Sequence, residues 1–309
     1  MKRKIKNKQV DAIICSDLHL TEQTPVCRLD DYIEAQETKL TFISALQQKY
    51  KCPVLCAGDV FDHWKPSPWL ISFALKYLPD ELIAIPGQHD LPQHNLDLIE
   101  KSGFYALMQG KKLKLKFPDY DNFKFDLHSL PFGTEIPKNG ATKSFRMDKE
   151  IPIILMLHQL TWQKEPWPGA EPSGNAKRLL KANPDFDLII TGDNHQAFTE
   201  EYEGRLLINP GSMLRSTAGQ QDFKPRVYLW SAENNTAEIA YLPAETGVVS
   251  RQHLEIKEER KDRLDAFINL IQSEEFEIGV SFEENIARAL EAGGINQAVK
   301  SKILEAMGQ

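Results

Sequence analysis

Acidic, imidazole and amide side chains follow five apolar segments of the sequence, at the point where each segment ends. The clearest segment is 53–57, which stops at Gly58 and is followed by Asp59 and Asp62. A single Asp in this position is more often the cap of a turn than a ligand, and that alternative applies to each case alone. The repetition favours a shared site. The five groups are Asp17 with His19, Asp59 with Asp62, Gln88 with His89 and Asp90, His158, and Asp193 with Asn194 and His195.

Carboxylate, imidazole and amide groups are the ligands that divalent cations take in proteins. In sheets of parallel strands, functional groups gather just past the carboxyl ends of the strands. A buried parallel strand is a near-continuous apolar run, and the five segments have that composition. The sequence therefore predicts a metal site at one edge of an α/β fold.

The elements between these motifs alternate strand and helix, as an α/β fold requires. Apolar residues at helical spacing predict a helix over about 34–50. Ser67 or Pro68 begins a second predicted helix, which runs through Tyr77. Each helix returns the chain to the start of the next strand, so the motifs that follow the strands are expected to meet at one edge.

Two later segments, 113–117 and 123–127, alternate apolar and polar residues. This pattern is typical of antiparallel strands with one solvated face. The stretch 162–174 contains three prolines and two glycines, and we interpret it as a surface loop beside the site.

The composition and the start of the sequence indicate the cellular compartment of the protein. The 309 residues contain no apolar run of the roughly 18 residues that a membrane span needs, so no membrane is expected as a partner. The basic start of the chain leads into a short strand rather than a signal-peptide core, which predicts a cytoplasmic protein. Four cysteines suit a reducing compartment, and Cys15 and Cys56 are expected in the core. The spacing of Cys52 and Cys56 does not indicate a zinc site.

The net charge of −7 argues against a generally basic nucleic-acid binder. That charge includes the carboxylates of the predicted site, however. Two divalent cations bound there would bring it from −7 to −3, so a phosphodiester substrate stays compatible with the composition.

In their order along the chain and in their residue types, the motifs resemble those of the calcineurin-like metallophosphoesterases. The matching segments are Asp17-x-His19, Gly58-Asp59-x-x-Asp62, Gly87-Gln88-His89-Asp90, His158 and Gly192-x-x-His195. Two further segments, 65–68 and 209–212, resemble the SbcD-type DNA double-strand-break-repair nucleases. The resemblance covers about 11–242 and implies an α/β fold, a four-layer α/β/β/α sandwich, with a small C-terminal helical region. We accordingly expect a metallophosphoesterase domain over 1–246 and a helical partner-docking region over 247–309.

The resemblance also implies two divalent metal ions, Mn²⁺ or else Mg²⁺, at which a phosphodiester is hydrolysed. Asp59 would bridge the ions. The other implied ligands are Asp17, His19 and His195 on one ion and Gln88, His158 and Asp193 on the other. His89 would meet the scissile phosphate as a general acid or a positive charge, with Asp90 orienting its imidazole. Asp62, His63 and Asn194 are expected to contact the ligands rather than the ions, or else to be turn or cap residues.

Two positions depart from the family pattern. Gln88 stands where the family usually has Asn, and Asp193 stands where it usually has His. Both substitutes offer oxygen, which favours Mn²⁺ or Mg²⁺. An inactive site is the alternative.

The resemblance implies a DNA exo- or endonuclease subunit of an SbcCD-like repair or recombination complex, with DNA and an SbcC-type, SMC-like ATPase as partners. A stand-alone small-molecule phosphodiesterase or phosphatase is the alternative, and a non-catalytic binding module is a more distant one. Cations that could contact DNA phosphates, if they are not merely solvated surface charges, are Lys65, Lys143, Arg146, Arg215, Lys224 and Arg226.

Beyond residue 246 the sequence becomes charged and helical in pattern. Apolar residues at helical spacing form stripes over 264–271 and 286–304. A region of about sixty residues can hardly bury these stripes alone, so they are expected to pack on the catalytic core, on a second copy in a homodimer, or on a partner. The break at Gly293-Gly294 favours a partner helix.

Overall fold

The computed structural model describes residues 9–80, 82–115, 124–136, 151–164, 172–272, 282–292 and 296–306. The chain forms two compact units, Met1–Val249 and Ser250–Gln309. In the described ranges, the first unit contains eleven strands and four α-helices, and the second contains three α-helices.

The first sheet has six strands. They are β1 (Ala12–Cys15), β2 (Val54–Cys56), β3 (Leu82–Ala84), β4 (Leu113–Lys114), β10 (Arg226–Ser231) and β11 (Thr236–Tyr241). Their order across the sheet is β11-β10-β1-β2-β3-β4. The strands β1 to β4 are parallel, whereas β10 pairs antiparallel with both β1 and β11.

The second sheet has five strands. They are β5 (Asp126–Leu130), β6 (Ile153–Leu157), β7 (Leu188–Thr191), β8 (Phe198–Tyr202) and β9 (Arg205–Asn209). Their order is β5-β6-β7-β9-β8, and all pairs are parallel except β8 with β9. In both sheets the central parallel strands therefore end at a common edge, as the strand-end motifs require.

The helices of the first unit begin at side chains that cap their free backbone N–H groups. They are α1 (Tyr32–Tyr50), α2 (Pro68–Tyr77), α3 (Gly103–Gln109) and α4 (Ala176–Ala182). Asp31 accepts hydrogen bonds from two N–H groups of the first turn of α1. Ser67 caps α2 and Pro68 occupies its first turn, where a missing N–H costs nothing. The second helix begins where the sequence predicts it.

Alternate residues of each strand face different cores. Ile13 of β1 packs with Leu40 of α1 and Phe73 of α2 on the outer face of the first sheet. Ile14, one residue on, packs with Ile154 of β6 between the two sheets. This alternation follows from the two-residue period of a strand.

The second sheet has the same arrangement in reverse. Leu155 of β6 packs with Leu180 of α4 on the outer face, while Met156 points into the layer between the sheets. Helices thus cover the outer face of each sheet, and the inner faces meet. The predicted four-layer α/β/β/α sandwich is confirmed.

The structure corrects the antiparallel pair predicted from the segments 113–117 and 123–127. β4 pairs parallel with β3, and β5 pairs parallel with β6 in the other sheet. Both are edge strands, in which Leu113 and Leu127 are buried and their neighbours are partly exposed. An edge strand therefore shows the same alternation as a hairpin strand. Residues 116–123 lie outside the described part of the chain.

The predicted surface loop lies only partly within the described residues, because 165–171 are outside them. Its described ends are joined by a hydrogen bond from Trp162 N to Gly174 O of 2.9 Å. Cys15 and Cys56 are buried in the core, as predicted, and both are free thiols.

The second unit contains α5 (Gln252–Gln272), α6 (Phe282–Ala292) and α7 (Gln297–Ala306). On α5, Leu264 is 56% exposed and Ile268 is 41% exposed, so the described part of this apolar stripe is open. Ile286 and Leu290 of α6 are buried. No helix among the described residues is long and apolar enough to cross a membrane.

Candidate metal centre

Four of the candidate ligands have a left-handed backbone. Asp17, His19, Asp59 and Asp193 have φ angles of 51°, 45°, 53° and 73°. Non-glycine residues rarely adopt this conformation, and they concentrate at functional sites where neighbouring segments hold them in place. Here the first two loops hold each other, because Asp17 N donates to Gly58 O and His19 N donates to Asp59 O, both over 3.0 Å.

Asp59 lies at the centre of the cluster and is fully buried. Its Oδ2 atom is 3.7 Å from His19 Nε2 and 3.3 Å from His158 Nε2. Its Oδ1 atom accepts a hydrogen bond of 2.9 Å from the backbone N–H of His89. Among the described residues, Oδ2 has no hydrogen-bond partner. One carboxylate oxygen therefore faces an imidazole from each of the two predicted ligand sets.

His19 and His195 turn their Nε2 atoms toward each other. These atoms are 3.0 Å apart, and each lies 3.8 Å from Asp17 Oδ1. The three ligand atoms lie within 4.8 Å of one another. Two nitrogens and a carboxylate oxygen at these distances can share one cation.

The protein fixes the opposite nitrogen of His158, because His158 Nδ1 lies 2.5 Å from Ala57 O. This partner sets the tautomer and leaves Nε2 of His158 as the ligand atom. His19 Nδ1 lies 3.2 Å from the Asp62 carboxylate, an ion-pair distance without the geometry of a hydrogen bond. Asp62 thus lies behind a candidate ligand, as the sequence suggested.

Gln88 and Asp193, the two departures from the family pattern, contact each other. Gln88 Nε2 donates to Asp193 Oδ1 over 2.5 Å. Gln88 Oε1 is buried without a partner among the described residues, so the amide oxygen is left for a cation. Three groups of described His and carboxylate side chains have converging ligand atoms, and Asp193 is in none of them. Its backbone N–H donates to Asp17 Oδ1 over 3.1 Å.

The structure corrects the role expected for Asp90. Its buried carboxylate accepts hydrogen bonds from the backbone N–H groups of Val60, Phe61 and Gly87, over 3.0, 2.9 and 3.1 Å. The His89 imidazole is instead placed by Asp62, whose carbonyl oxygen is 2.9 Å from His89 Nδ1. Asp90 therefore joins the second and third motif loops. His89 also forms a convergent group with His19 and Asp59.

Buried polar atoms that lack a hydrogen-bond partner show whether these residues fit a metal ion. Native proteins satisfy nearly all such atoms, so a concentration of them marks a missing partner. Within the described residues, several orphaned atoms belong to the motif loops, namely Ser16 Oγ, Asp17 Oδ2, His19 Nδ1, Asp59 Oδ2, Gln88 Oε1 and His158 Nε2. All can donate a lone pair to a cation. The residues present therefore fit a divalent metal centre.

The pKa shifts of the buried groups also favour a bound cation. Burial alone would lower the pKa of His158, but the adjacent Asp59 carboxylate raises it to about 9. Burial would raise the pKa of Asp59, and the surrounding imidazoles lower it below its usual value. Burial, and then the charge of Asp59, raise the pKa of Asp90 to about 7 against the pull of its three N–H donors. The centre thus attracts positive charge.

Sequence reasoning gave no role to the side chain of Asn209. Its Nδ2 atom donates to Asn194 O over 2.6 Å and to Gln196 O over 2.9 Å, on both sides of His195. Thr191 Oγ1 donates to Asn209 Oδ1 over 3.1 Å. The sequence signal was the Asn-Pro-Gly-Ser segment, which begins at the last residue of β9, although it does not indicate this role. This side chain positions the loop that carries His195.

The two remaining residues expected near the ligands differ. Asn194 Nδ2 donates to Thr161 O over 2.7 Å, so it supports the last motif loop. His63 Nδ1 accepts a hydrogen bond from Lys65 N over 3.2 Å and its ring lies against Trp64. Among the described residues, His63 belongs to none of the convergent groups.

Comparison with known proteins agrees with this site. The model of the calcineurin-like phosphoesterase family matches residues 12–197, more than half of the chain. The chain therefore belongs to the calcineurin-like phosphoesterases, a family of hydrolases that use divalent metal ions. A comparison with curated proteins gives no match.

Several solved structures are similar. An archaeal phosphodiesterase is 14% identical, covers 75% of this chain and 99% of its own, and has a TM-score of 0.41. A protein of Thermus thermophilus is 12% identical, with coverage of 76% and 100% and a TM-score of 0.44. A metallophosphoesterase from Sphaerobacter thermophilus is 12% identical, with coverage of 76% and 89% and a TM-score of 0.36. These likenesses are too distant to assign a substrate.

Proposed function

We propose that the protein is the nuclease subunit of an SbcCD-like DNA repair or recombination complex and hydrolyses phosphodiester bonds with two divalent ions, Mn²⁺ by preference. The observation that best supports a two-ion centre is the position of Asp59 Oδ2. This buried oxygen lies within 3.7 Å of His19 Nε2 and 3.3 Å of His158 Nε2 and has no donor among the described residues.

In this proposal each ligand set would hold one ion, and Asp59 would be a ligand common to both. The sets are Asp17, His19 and His195, and Gln88, His158 and Asp193. When bound there, the ions would supply a lowered pKa for an attacking water and stabilisation of the charge that develops on the phosphoryl oxygens. Gln88 contributes its amide oxygen while its Nε2 group anchors the carboxylate of Asp193.

His89 is proposed to act on the substrate. Its Nδ1 atom lies 2.9 Å from the carbonyl oxygen of Asp62, which holds the Nδ1 proton and leaves Nε2 to meet the scissile phosphate. A positioned imidazole can give a proton to the leaving oxygen or stabilise charge on the phosphate.

A nucleic-acid substrate is supported by two features. The segments at 65–68 and 209–212 resemble the SbcD-type nucleases, and Asn209 of the second segment positions the His195 loop. One side of the centre is also open, because the Asp62 side chain is 54% exposed and that of His195 is 36% exposed. A long polymer can reach such a site without entering a closed pocket.

One observation favours the alternative, a small-molecule phosphodiesterase or phosphatase. A cavity of about 1070 Å³ adjoins the centre and is lined by His158, Asp193, Phe132 and Arg178 among others. Pockets of about 300–1,000 Å³ commonly enclose small ligands. An apolar group beside the scissile phosphate could occupy this space.

A substrate panel separates the two functions. Purified protein is incubated with linear duplex DNA, single-stranded DNA, a nitrophenyl phosphodiester and a nitrophenyl phosphomonoester, each with Mn²⁺, Mg²⁺ or EDTA. Asp59→Asn protein purified in parallel controls for contaminating nucleases. The proposal expects metal-dependent cleavage of DNA that the control lacks. Hydrolysis of the small esters alone would establish the alternative.

The C-terminal unit is proposed to dock an SMC-like ATPase, because Leu264 and Ile268 leave an apolar stripe open on α5. Deleting residues 255–309 should abolish co-purification with the ATPase and leave hydrolysis of a small phosphodiester largely intact. Leu264→Asp should weaken docking, whereas Glu258→Asp on the same helix should not. Docking by the truncated protein would place the interface elsewhere, and an unfolded truncation would make the unit part of the core.

A further inference from the structure

A small cavity lined by charged residues lies beside the first turns of α1. Its volume is about 200 Å³, and none of the candidate metal ligands lines it. Three cationic residues do line it, Arg28, Lys39 and Arg215, and they are only 7%, 4% and 7% exposed. Buried charges are rare unless they are paired, so the partner of each cation has to be identified.

Each of the three nitrogens of the Arg28 guanidinium donates a hydrogen bond. Its Nε and Nη2 atoms donate to the two carboxylate oxygens of Asp30 over 2.7 and 2.5 Å. Its Nη1 atom donates to Arg215 O over 3.0 Å. Such a bidentate pair neutralises one of the three positive charges.

The other two cations contact only neutral groups among the described residues. Arg215 donates to the carbonyl oxygens of Gln221, over 3.1 Å, and Glu245. The Lys39 ammonium donates one hydrogen bond, to Ala35 O over 3.3 Å. Two of its three N–H donors are thus left over in a buried position. A buried positive charge in this state calls for an anion.

The acidic residues of the cavity do not supply that anion. Asp31, Glu34 and Glu245 are exposed at its mouth, and the Asp31 carboxylate already caps α1. Burial, and then the repulsion of Arg28 and Arg215, lower the pKa of Lys39 to about 8, and Asp30 and Glu245 offset these guanidiniums only in part. Lys39 and Arg215 are therefore two buried cations whose described hydrogen bonds go to backbone carbonyl oxygens and not to a carboxylate.

We propose that this cavity binds a phosphoryl group through Lys39 and Arg215. A phosphoryl group offers several anionic oxygens, which match a rotatable ammonium beside a guanidinium. The volume of about 200 Å³ is smaller than the pockets of about 300–1,000 Å³ that enclose larger ligands, so inorganic phosphate or a terminal phosphate fits and a whole nucleoside does not.

The same segment links the cavity to the metal loop. Met213, two residues before Arg215, donates its backbone N–H to Asp17 O over 3.1 Å. A bound phosphoryl group would thus hold the segment that supports Asp17. The inference does not rest on the proposed nuclease activity, because phosphate binding here requires neither a metal ion nor hydrolysis.

Phosphate binding to EDTA-treated, full-length protein tests the proposal. Inorganic phosphate is titrated by calorimetry at about pH 7, where Lys39 carries its charge. The wild type should bind one phosphate per chain. Lys39→Met should bind phosphate at least about tenfold more weakly. Lys49→Met, which changes an exposed lysine at the other end of α1, should bind as the wild type does, and so should Asp59→Asn.

Thermal unfolding shows whether Lys39→Met has a folding defect that would explain weaker phosphate binding. Lys39→Met keeps an aliphatic stem in the helix and removes a buried charge, so without phosphate it should be at least as stable as the wild type. At the same concentration, phosphate should raise the Tm of the wild type more than that of Lys39→Met. Absence of binding by the wild type, equal binding by Lys39→Met, or loss of binding in Asp59→Asn would each overturn the proposal.

A pair of oligonucleotides identifies the source of the phosphoryl group. Selective binding of a 5′-phosphorylated strand over its 5′-hydroxyl twin, lost in Lys39→Met, would show that a DNA terminus is the ligand. Binding of inorganic phosphate without this preference would show that the free anion is the ligand. Both results support the site.

Discussion

Gln88 Nε2 donates a hydrogen bond to Asp193 Oδ1 over 2.5 Å, which joins the third and fifth motif loops. These are the two positions at which the chain departs from the motif pattern it resembles, where Asn and His are usual. Gln is one methylene longer than Asn, and Asp is shorter than His. The two replacements therefore compensate in length, and we expect them to work as a pair.

Exchanging both residues tests this pairing. Gln88→Asn and Asp193→His should each weaken Mn²⁺ binding, because each breaks the contact and leaves a polar group unpaired. The double substitution restores the usual family pair and should lose less than the sum of the two, with a coupling of roughly 0.5–3 kcal/mol. Calorimetric Mn²⁺ titration of the four proteins gives this value. Strict additivity would show that the contact does not matter for the metal centre.

His89→Ala separates chemistry from metal binding. The variant should keep its metal content, because His89 is assigned to the substrate, and should hydrolyse the preferred substrate about 10²- to 10⁴-fold more slowly. His63→Ala is the matched control, because this histidine lies outside the convergent groups of the described residues. Metal content is measured by mass spectrometry after desalting. Loss of an ion from His89→Ala would make His89 a ligand.

Metal affinity should rise with pH. In the metal-free protein, burial lowers and the Asp59 carboxylate raises the pKa of His158, which reaches about 9. His158 is therefore protonated at neutral pH and has to release that proton before Nε2 can bind an ion. The affinity should increase by up to about tenfold per pH unit until about pH 9. Calorimetry in buffers of different ionisation enthalpy measures the released proton, and a flat pH profile would contradict this assignment.

Asp90 should contribute to stability. Asp90→Ala leaves the backbone N–H groups of Val60, Phe61 and Gly87 without their acceptor, at about 1–3 kcal/mol for each buried group. Urea unfolding should show a loss of roughly 3 kcal/mol or more, and a smaller loss for Asp90→Asn, which keeps one oxygen. Asp80→Ala removes an ion pair with an 88% exposed carboxylate and should cost less than about 1 kcal/mol. Similar losses for the two alanine variants would exclude this role.

The meeting point of the motifs was predictable from the sequence, and the four layers followed from the resemblance of those motifs to a known family. Parallel strands end at a common edge, so residues that follow apolar runs near positions 15, 56 and 157 have to converge once the sheets form. The two-residue period of each strand then assigns alternate side chains to the two cores. The meeting point was predictable because it depends on a local pattern that the fold preserves.

Other features depend on tertiary contacts that spacing does not contain. Asp90 is adjacent to His89 in sequence, yet its carboxylate bonds to the backbone of Val60 and Phe61, about thirty residues earlier. The partners of β4 and β5 were mispredicted because an exposed sheet edge produces the same alternation as a hairpin. The segment 209–212 was recognised as a motif, but the role of the Asn209 side chain was not predicted because its hydrogen bonds go to carbonyl groups of another loop.

The most direct test of the account is the metal content of Asp59→Asn. The variant keeps an oxygen for the His89 N–H but removes the charge that faces His19 and His158. It should stay folded, bind at least one ion fewer per chain than the wild type, and lose nearly all hydrolysis, whereas Asp222→Asn on the surface should change neither. Asp59→Asn protein that keeps the wild-type metal content and full activity, or wild-type activity that persists in EDTA, would contradict the two-ion centre.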